Sequence, residues 1–192
     1  MLRDNVDTDM IIRIERIASL KRGEFGRWAF EMLRYRPDGS EDPDFVLNRA
    51  AYRAARILVS GTNFGCGSSR EMAVWALAEF GIRCIIAGSY GDIFRSNCLQ
   101  NGLLPITLGP EPLSEVAAAA VRGTTVRVDL VSCTVSAAGL RPVTFALPEG
   151  DRGMLLTGLD EVGQSLKLAA AIDAYQEADR SRRPWVYCGR GR

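Results

Sequence analysis

Apolar and polar positions alternate along this chain with two different rhythms. From Ala55 onward, short apolar runs are separated by longer amphipathic ones. Residues 56–61 (RILVSG) predict a buried strand, 70–80 (REMAVWALAEF) a helix stopped by Gly81, and 83–89 (RCIIAGS) a second strand. This is a βαβ unit, for which parallel pairing and a right-handed crossover are expected. A further helix over about 92–101 ends at Gly102, a good residue just past a helix end, and leads into the strand LLPITL. After the helix LSEVAAAAVR the period drops to two in TVRVDL, CTVSA and PVTFAL, joined by turns such as Ala137-Ala138-Gly139, so this half is antiparallel in style. A last long helix from about Asp160 to Arg180 carries Leu166, Ala169, Ala170 and Ile172 near helical spacing and is expected to pack on the sheet or on a partner.

The region before Ala55 is less regular. DNVDTD is turn-like and MII apolar, and a basic, glycine-punctuated stretch runs from Lys21 to Gly26. The amphipathic RWAFEML predicts a short helix, followed by a polar turn at Pro37-Asp38-Gly39 and the phrase DFVLN. The fold class read from this order is α/β: a mixed sheet with flanking helices in one domain over 1–192, of which 160–192 form a C-terminal helix and tail.

Composition narrows the function. At 192 residues, 47% hydrophobic and 24% charged, the chain suits a single core. Its net charge is +1, and like charges gather only near the end, where Arg180, Arg182, Arg183, Arg190 and Arg192 read as a solvated tail, so no nucleic-acid partner is expected. No apolar run approaches the roughly 20 residues of a membrane span and no secretory leader is recognisable, so a cytoplasmic location without membrane association is expected. Cys66, Cys84, Cys98, Cys133 and Cys188 are odd in number and form no CxxC pair, which speaks against a disulfide framework and against a zinc site within this chain. The chain contains no histidine. Ser-His-Asp and Cys-His catalysis and histidine ligation are therefore excluded unless another chain supplies the imidazole.

The chemistry concentrates in Gly61-Thr62-Asn63-Phe64-Gly65-Cys66-Gly67-Ser68-Ser69-Arg70-Glu71, between a buried strand and a helix. Glycines permit tight turns and close ligand approach, and Ser68 with Glu71 fits the S-x-x-E capping box of a helix start. On that reading, amides of Gly65, Cys66 and Gly67 face outward as an anion loop, and Arg70 beside them grips a carboxylate with two parallel hydrogen bonds. The same field would stabilise an alkoxide on Ser68 or Ser69, allowing a serine to act as base without histidine. Alternatively, Ser68 only caps the helix and the glycines only shape a turn. The GxxxGxG spacing of Gly61, Gly65 and Gly67 also fits a nicotinamide-dependent short-chain dehydrogenase. Against this, the next strand ends in Ala87-Gly88-Ser89 without an acidic residue for a ribose, and no Tyr-x-x-x-Lys occurs. A Walker phosphate loop is excluded because no Gly-Lys-Ser/Thr follows.

These residues resemble a known family. GTNFGCGSSRE is similar to the NFGCGSSRE motif of aconitase-superfamily swivelling domains, in the form found in isopropylmalate dehydratase small subunits. DNVDTDMII, DFVLN, GDIFRSNCLQNGLLPI, LLTGLDEVGQSL and RPW resemble further family segments in the same order, from Asp4 to Trp185. The resemblance implies a swivelling β/β/α domain seated on a separate large subunit that holds a [4Fe-4S] cluster. Together they would isomerise a small 2-hydroxy dicarboxylic acid by dehydration and rehydration, as in leucine biosynthesis, with no cofactor or metal bound by this chain. It further implies Ser68 as the catalytic base and Arg70 as a carboxylate-binding arginine. Ser69 would lie beside the substrate, Asp9 would be an acidic active-site residue, and Arg22 the substrate-binding arginine of a mobile loop. Cys66 and Cys98 would be structural. Taken alone, Asp9 also suits a turn cap and Arg22 a solvated charge.

The chain departs from the family pattern at Met72, Arg13, Gly88, Tyr90 and Gly91, close to the loop, so the alkyl group accepted is open among 2-alkylmalates, citraconate and homoaconitate. A carboxylate-binding module without catalysis is the competing reading.

Overall fold

The computed structural model describes residues 1–187. Before the first strand the chain forms single helical turns, α1 (Thr8–Ile11), α2 (Ile14–Ile17) and α3 (Glu31–Arg34), with 3-10 turns at Gly26–Trp28 and Val46–Asn48. The helix expected over RWAFEML is broken at Phe30, whose φ is 56°. The cause is tertiary. Glu79 draws the amides of Gly23, Phe25 and Gly26 onto its carboxylate at 2.7, 2.6 and 3.2 Å, and the Phe30 amide donates to the Ile11 carbonyl at 2.8 Å while its ring is buried. Those bonds replace the ladder a helix would need. The next turn is secured by Arg34, a buried cation whose guanidinium donates to Asn48 Oδ1 at 3.1 Å and to the Arg27 and Ala29 carbonyls at 3.2 and 3.4 Å. A buried charge persists only with such partners.

The α/β repeat follows as expected: β1 (Ile57–Val59), α4 (Met72–Phe80), β2 (Cys84–Ala87), α5 (Asp92–Gln100), β3 (Leu104–Thr107) and α6 (Pro110–Val121). The strands pair in parallel in the order β1-β2-β3, with Ile57 beside Cys84 and Ile85 beside Pro105. Gly81 ends α4 at φ 118°, and Asn101 closes α5. Alternate side chains of the sheet feed two cores. Leu58, Ile85 and Ala87 join Val74, Leu77, Phe94 and the N-terminal residues Val6, Ile11 and Phe30, while Val59, Ile86 and Ile106 meet Leu113, Val116 and Val135. Both faces are covered, which is why these strands are almost wholly apolar.

β4 (Val126–Asp129), β5 (Thr134–Ala137) and β6 (Val143–Thr144) form the antiparallel meander. The mixed α/β character is thus present, with its parallel and antiparallel parts standing as two separate three-stranded sheets. A helix the periodicity had not indicated, α7 (Glu149–Thr157), follows. Gly150 and Gly153 lower its intrinsic propensity and mask it.

The chain divides into two compact units, Met1–Leu156 and one beginning at Thr157. In the second, the long helix expected from Asp160 is interrupted. α8 (Glu161–Leu166) is capped by Asp160, which accepts from the Gly163 amide at 2.6 Å, and it tightens at its end through Lys167→Gln164 and Leu168→Ser165 backbone bonds of 3.2 and 2.9 Å before α9 (Ala169–Arg182) restarts. Leu166, Leu168, Ile172 and Tyr175 are exposed. Arg190 and Arg192 of the expected tail, and Cys188, lie outside the described residues.

The loop after β1 is threaded between two other strands of chain. The Asn5 amide donates to the Thr62 carbonyl at 2.9 Å, Gly65 to Val6 at 2.7 Å and Thr8 to Cys66 at 3.0 Å, and on the other side Phe64 donates to Ser89 at 3.0 Å and Gly91 to Phe64 at 2.9 Å. Asp4 adds its carboxylate, which accepts from the Thr62 amide and hydroxyl at 2.6 and 2.9 Å and is held below the usual carboxylate range by those two bonds. Gly65, at φ 72°, lies against Phe94 so closely that a Cβ would fall 2.1 Å from the ring. Gly65→Ala is therefore expected to destabilise the protein by about 3 kcal/mol, from left-handed strain and overpacking together. Urea unfolding measures this directly, and an unchanged midpoint would show that the loop is not clamped as described.

Candidate active site

The loop emerges from this clamp with its polar residues outward. Gly67, Ser68 and Ser69 are exposed and Cys66 is half-buried. Among the described residues, the amides of Cys66, Gly67, Ser69 and Arg70 donate no hydrogen bond. The Gly65 amide, by contrast, is committed to Val6, so of the three residues expected to form an anion loop only Cys66 and Gly67 keep free N–H groups. Successive unpaired amides in an irregular turn make an anion-binding concavity in their own right.

The capping box expected from Ser68 and Glu71 does not form. α4 begins at Met72, with Glu71 as its cap residue in helical geometry and no side-chain cap. Two long-range bonds prevent the box. The Ser68 amide donates to Oγ1 of the buried Thr8 at 3.2 Å, and Glu71 Oε1 accepts from Asn101 Nδ2 at 2.8 Å. Among the described residues the Ser68 hydroxyl makes no hydrogen bond, and the free amides belong to the loop rather than to the helix end. The Ser69 carbonyl is steadied by Asn97 Nδ2 at 3.3 Å.

Arg70 and Asp9 meet. The guanidinium, 19% exposed, forms an ion pair with the Asp9 carboxylate, 55% exposed. The two aspartates of VDTD divide their tasks: Asp7 caps α1 by accepting the Met10 amide at 2.7 Å, which leaves Asp9 to reach across to Arg70. An exposed pair of this kind is worth only about 0.2–1 kcal/mol, so its partners can exchange. Arg22, on the exposed basic stretch, lies over the Trp75 ring at 4.8 Å and donates to Asn101 Oδ1 at 3.3 Å. Asn101 in turn holds Glu71, which adjoins Arg70 in sequence. Ser68, Ser69, Arg70 and Asp9 thus gather at one loop, and Arg22 connects to it through Asn101.

Thr8, Trp75, Asn97 and Asn101 were not singled out by sequence reasoning. The one local signal was the spacing of Asn97 in α5 and Asn101 at its C-cap, four residues apart, since that spacing brings two side chains to the same side of a helix.

The departures from the family pattern touch this region from behind. Met72 packs at the edge of the core beneath α4. Tyr90 sets its ring edge-on to Phe64 at 6.4 Å and donates its hydroxyl proton to the carbonyls of Ile85 and Ile106, at 2.7 and 2.9 Å, with its acidity suppressed by burial. Gly91 abuts the Gly65 carbonyl, where a Cβ would lie at 2.7 Å. Among the described residues no group of three His, Cys, Asp or Glu side chains is placed to hold a metal ion. Cys84 and Cys98 are buried, and burial pushes their thiols upward, Cys84 to about 12, so neither is a thiolate at neutral pH.

Known proteins resemble this chain. Residues 2–111 match the Aconitase C-terminal domain family. The 3-isopropylmalate dehydratase small subunit of Mesorhizobium japonicum is 48% identical over 95% of this chain and 92% of its own length, and that of Agrobacterium fabrum is 47% identical over the same shares. The crystal structure of a 3-isopropylmalate dehydratase from Methanocaldococcus jannaschii superimposes with a TM-score of 0.65 at 28% identity, covering 91% of this chain and 94% of that one. With nearly the whole length matched at close to half identity, this chain belongs to the 3-isopropylmalate dehydratase small-subunit family, built on the aconitase C-terminal domain.

Proposed function

We propose that this chain is the small subunit of a heteromeric hydro-lyase that isomerises 2-isopropylmalate to 3-isopropylmalate by dehydration and rehydration, the step used in leucine biosynthesis. One observation carries the reading: an exposed serine with an uncommitted hydroxyl, Ser68, stands two residues from a guanidinium, Arg70, that already holds a carboxylate. Asp9 there models the chemistry that a substrate carboxylate would present.

In this mechanism the substrate carboxylate displaces Asp9 from Arg70 and is fixed by two parallel hydrogen bonds. Ser68, held as an alkoxide, then takes the proton from the carbon next to that carboxylate onto Oγ and gives it to the adjacent position during rehydration, which restores the alkoxide. The negative charge that the Ser68 alkoxide carries before proton transfer is met by the free amides of Cys66, Gly67 and Ser69 and by Arg70, already oriented before the reaction. No histidine is needed. Ser69 borders the substrate, Asp9 holds Arg70 between turnovers, and Arg22 supplies a second cation from the basic stretch. The departing hydroxyl requires a Lewis acid, which this chain's described side chains do not assemble; a cluster-bearing large subunit is its source. The exposed glycine loop and the stretch from Lys21 to Arg27 are the surfaces turned toward that partner. The protein acts without nucleic acid or membrane, in the cytoplasm.

Co-expression with a cluster-bearing large subunit and anaerobic assay of the unsaturated intermediate tests the proposal. Ser68→Ala is expected to reduce kcat about 10³-fold while the complex still assembles, the scale of a lost general base. Turnover of 2-isopropylmalate by this variant at the wild-type rate would refute serine-base catalysis. A wild-type complex that turns over only smaller 2-alkylmalates would move the substrate, and one that assembles but acts on none would leave a carboxylate-binding module. Arg70→Lys keeps the charge but not the planar fork, and is expected to raise KM about tenfold to a hundredfold. An unchanged KM in steady-state assays would remove Arg70 from the binding site.

A further inference from the structure

The side chain of Asn101 has its whole hydrogen-bonding capacity engaged, and by groups from three separate parts of the chain. Its Oδ1 accepts from Trp75 Nε1 at 3.0 Å and from Arg22 Nη2 at 3.3 Å. Its Nδ2 donates to Glu71 Oε1 at 2.8 Å and to the Asn97 carbonyl at 2.9 Å. Indole and guanidinium can only donate, and carboxylate and carbonyl can only accept, so the amide has one orientation and a flipped one would set four groups against like groups. Arg22 is the outermost and weakest of these contacts, exposed and stacked on the Trp75 face at 4.8 Å. On its other side the basic stretch is tied by Glu79, which accepts from Gly23 at 2.7 Å.

We infer that Asn101 is a positioning residue that latches Arg22 and the basic stretch against the glycine loop, through Trp75 and Glu71. The inference rests on the proposed function for its kinetic consequence but not for its geometry. Asn101 touches no reacting atom. It presents Arg22 beside the loop in the free protein, so that the second cation is in place before a dianionic substrate arrives. Asparagine is required because the two donors and two acceptors around it call for an uncharged amide. An aspartate would face Glu71 with like charge, and leucine would leave Trp75 and Glu71 without their partner.

The test compares Asn101→Leu, Asn101→Ala, Arg22→Ala and the double variant Arg22→Ala/Asn101→Leu. In the free chain, limited trypsin cleavage after Lys21 and Arg22 is expected to accelerate about tenfold in both Asn101 variants. In the assembled enzyme, Asn101→Leu is expected to raise KM about tenfold with kcat within about threefold of wild type, the pattern of lost uniform binding. The double variant should show no further rise over Arg22→Ala, because the latch has nothing left to hold. Cleavage and KM both at wild-type values in Asn101→Leu would overturn the latch, as would a KM rise of equal size with and without Arg22. If Asn101→Leu does not fold, Asn101→Ala, which also removes the acceptor for Arg22, carries the same two readouts. Faster cleavage in a complex that does not act on 2-isopropylmalate would uphold the latch and fail the proposed substrate.

Discussion

Everything at the glycine loop depends on its being held from both sides by backbone hydrogen bonds to distant parts of the chain. Val6 and Thr8 grip it at Gly65 and Cys66, and Ser89 and Gly91 grip it at Phe64. A loop with this many glycines would otherwise sample many shapes, at a cost of about 1–2 kcal/mol per residue ordered. The clamp also decides which amides are used and which remain available. Gly65 gives its N–H to the neighbouring segment, while Cys66 and Gly67 do not, so the polar face of the loop follows from the pairing rather than from the loop alone.

Much of the fold was legible because its signals are local. β1 to β3 and α4 to α6 are apolar runs or amphipathic stretches bounded by Gly81, Gly102 and Gly123, and nothing distant contradicts them. What could not be read is governed by long-range bonds. The Phe30 amide breaks the helix expected before Arg34 by donating to the Ile11 carbonyl, and Thr8 removes the Ser68 amide from any capping arrangement. α7 was hidden by its own glycines, and the last helix divides where local i→i+3 bonds win over continuation.

The candidate site divides along the same line. Ser68, Ser69 and Arg70 are contiguous with the glycines, so their chemistry shows in the sequence. Asp7 and Asp9 occupy equivalent-looking places in VDTD, and only the turn of α1 assigns one to capping and the other to Arg70. Thr8, Trp75 and Asn101 act by joining segments that lie far apart in the chain, and no spacing rule records such contacts. The split core adds a further constraint. Ile85 and Ile86 are neighbours in β2 yet belong to opposite cores, so the platform beneath the loop is sensitive to both.

If Arg70 binds the substrate carboxylate as proposed, the Asp9–Arg70 pair makes the free protein its own competitor. An incoming carboxylate exchanges with an internal one, so its apparent affinity is the intrinsic affinity scaled by the fraction of time Arg70 stands unpaired. A ligand with one weak carboxylate gains little from such an exchange. One that brings a second anionic group to the loop amides gains a contact that Asp9 does not replace. Discrimination by number of charges is thereby written into a single side-chain pair, and added salt, which loosens that pair and screens the ligand alike, shifts both sides of the exchange together.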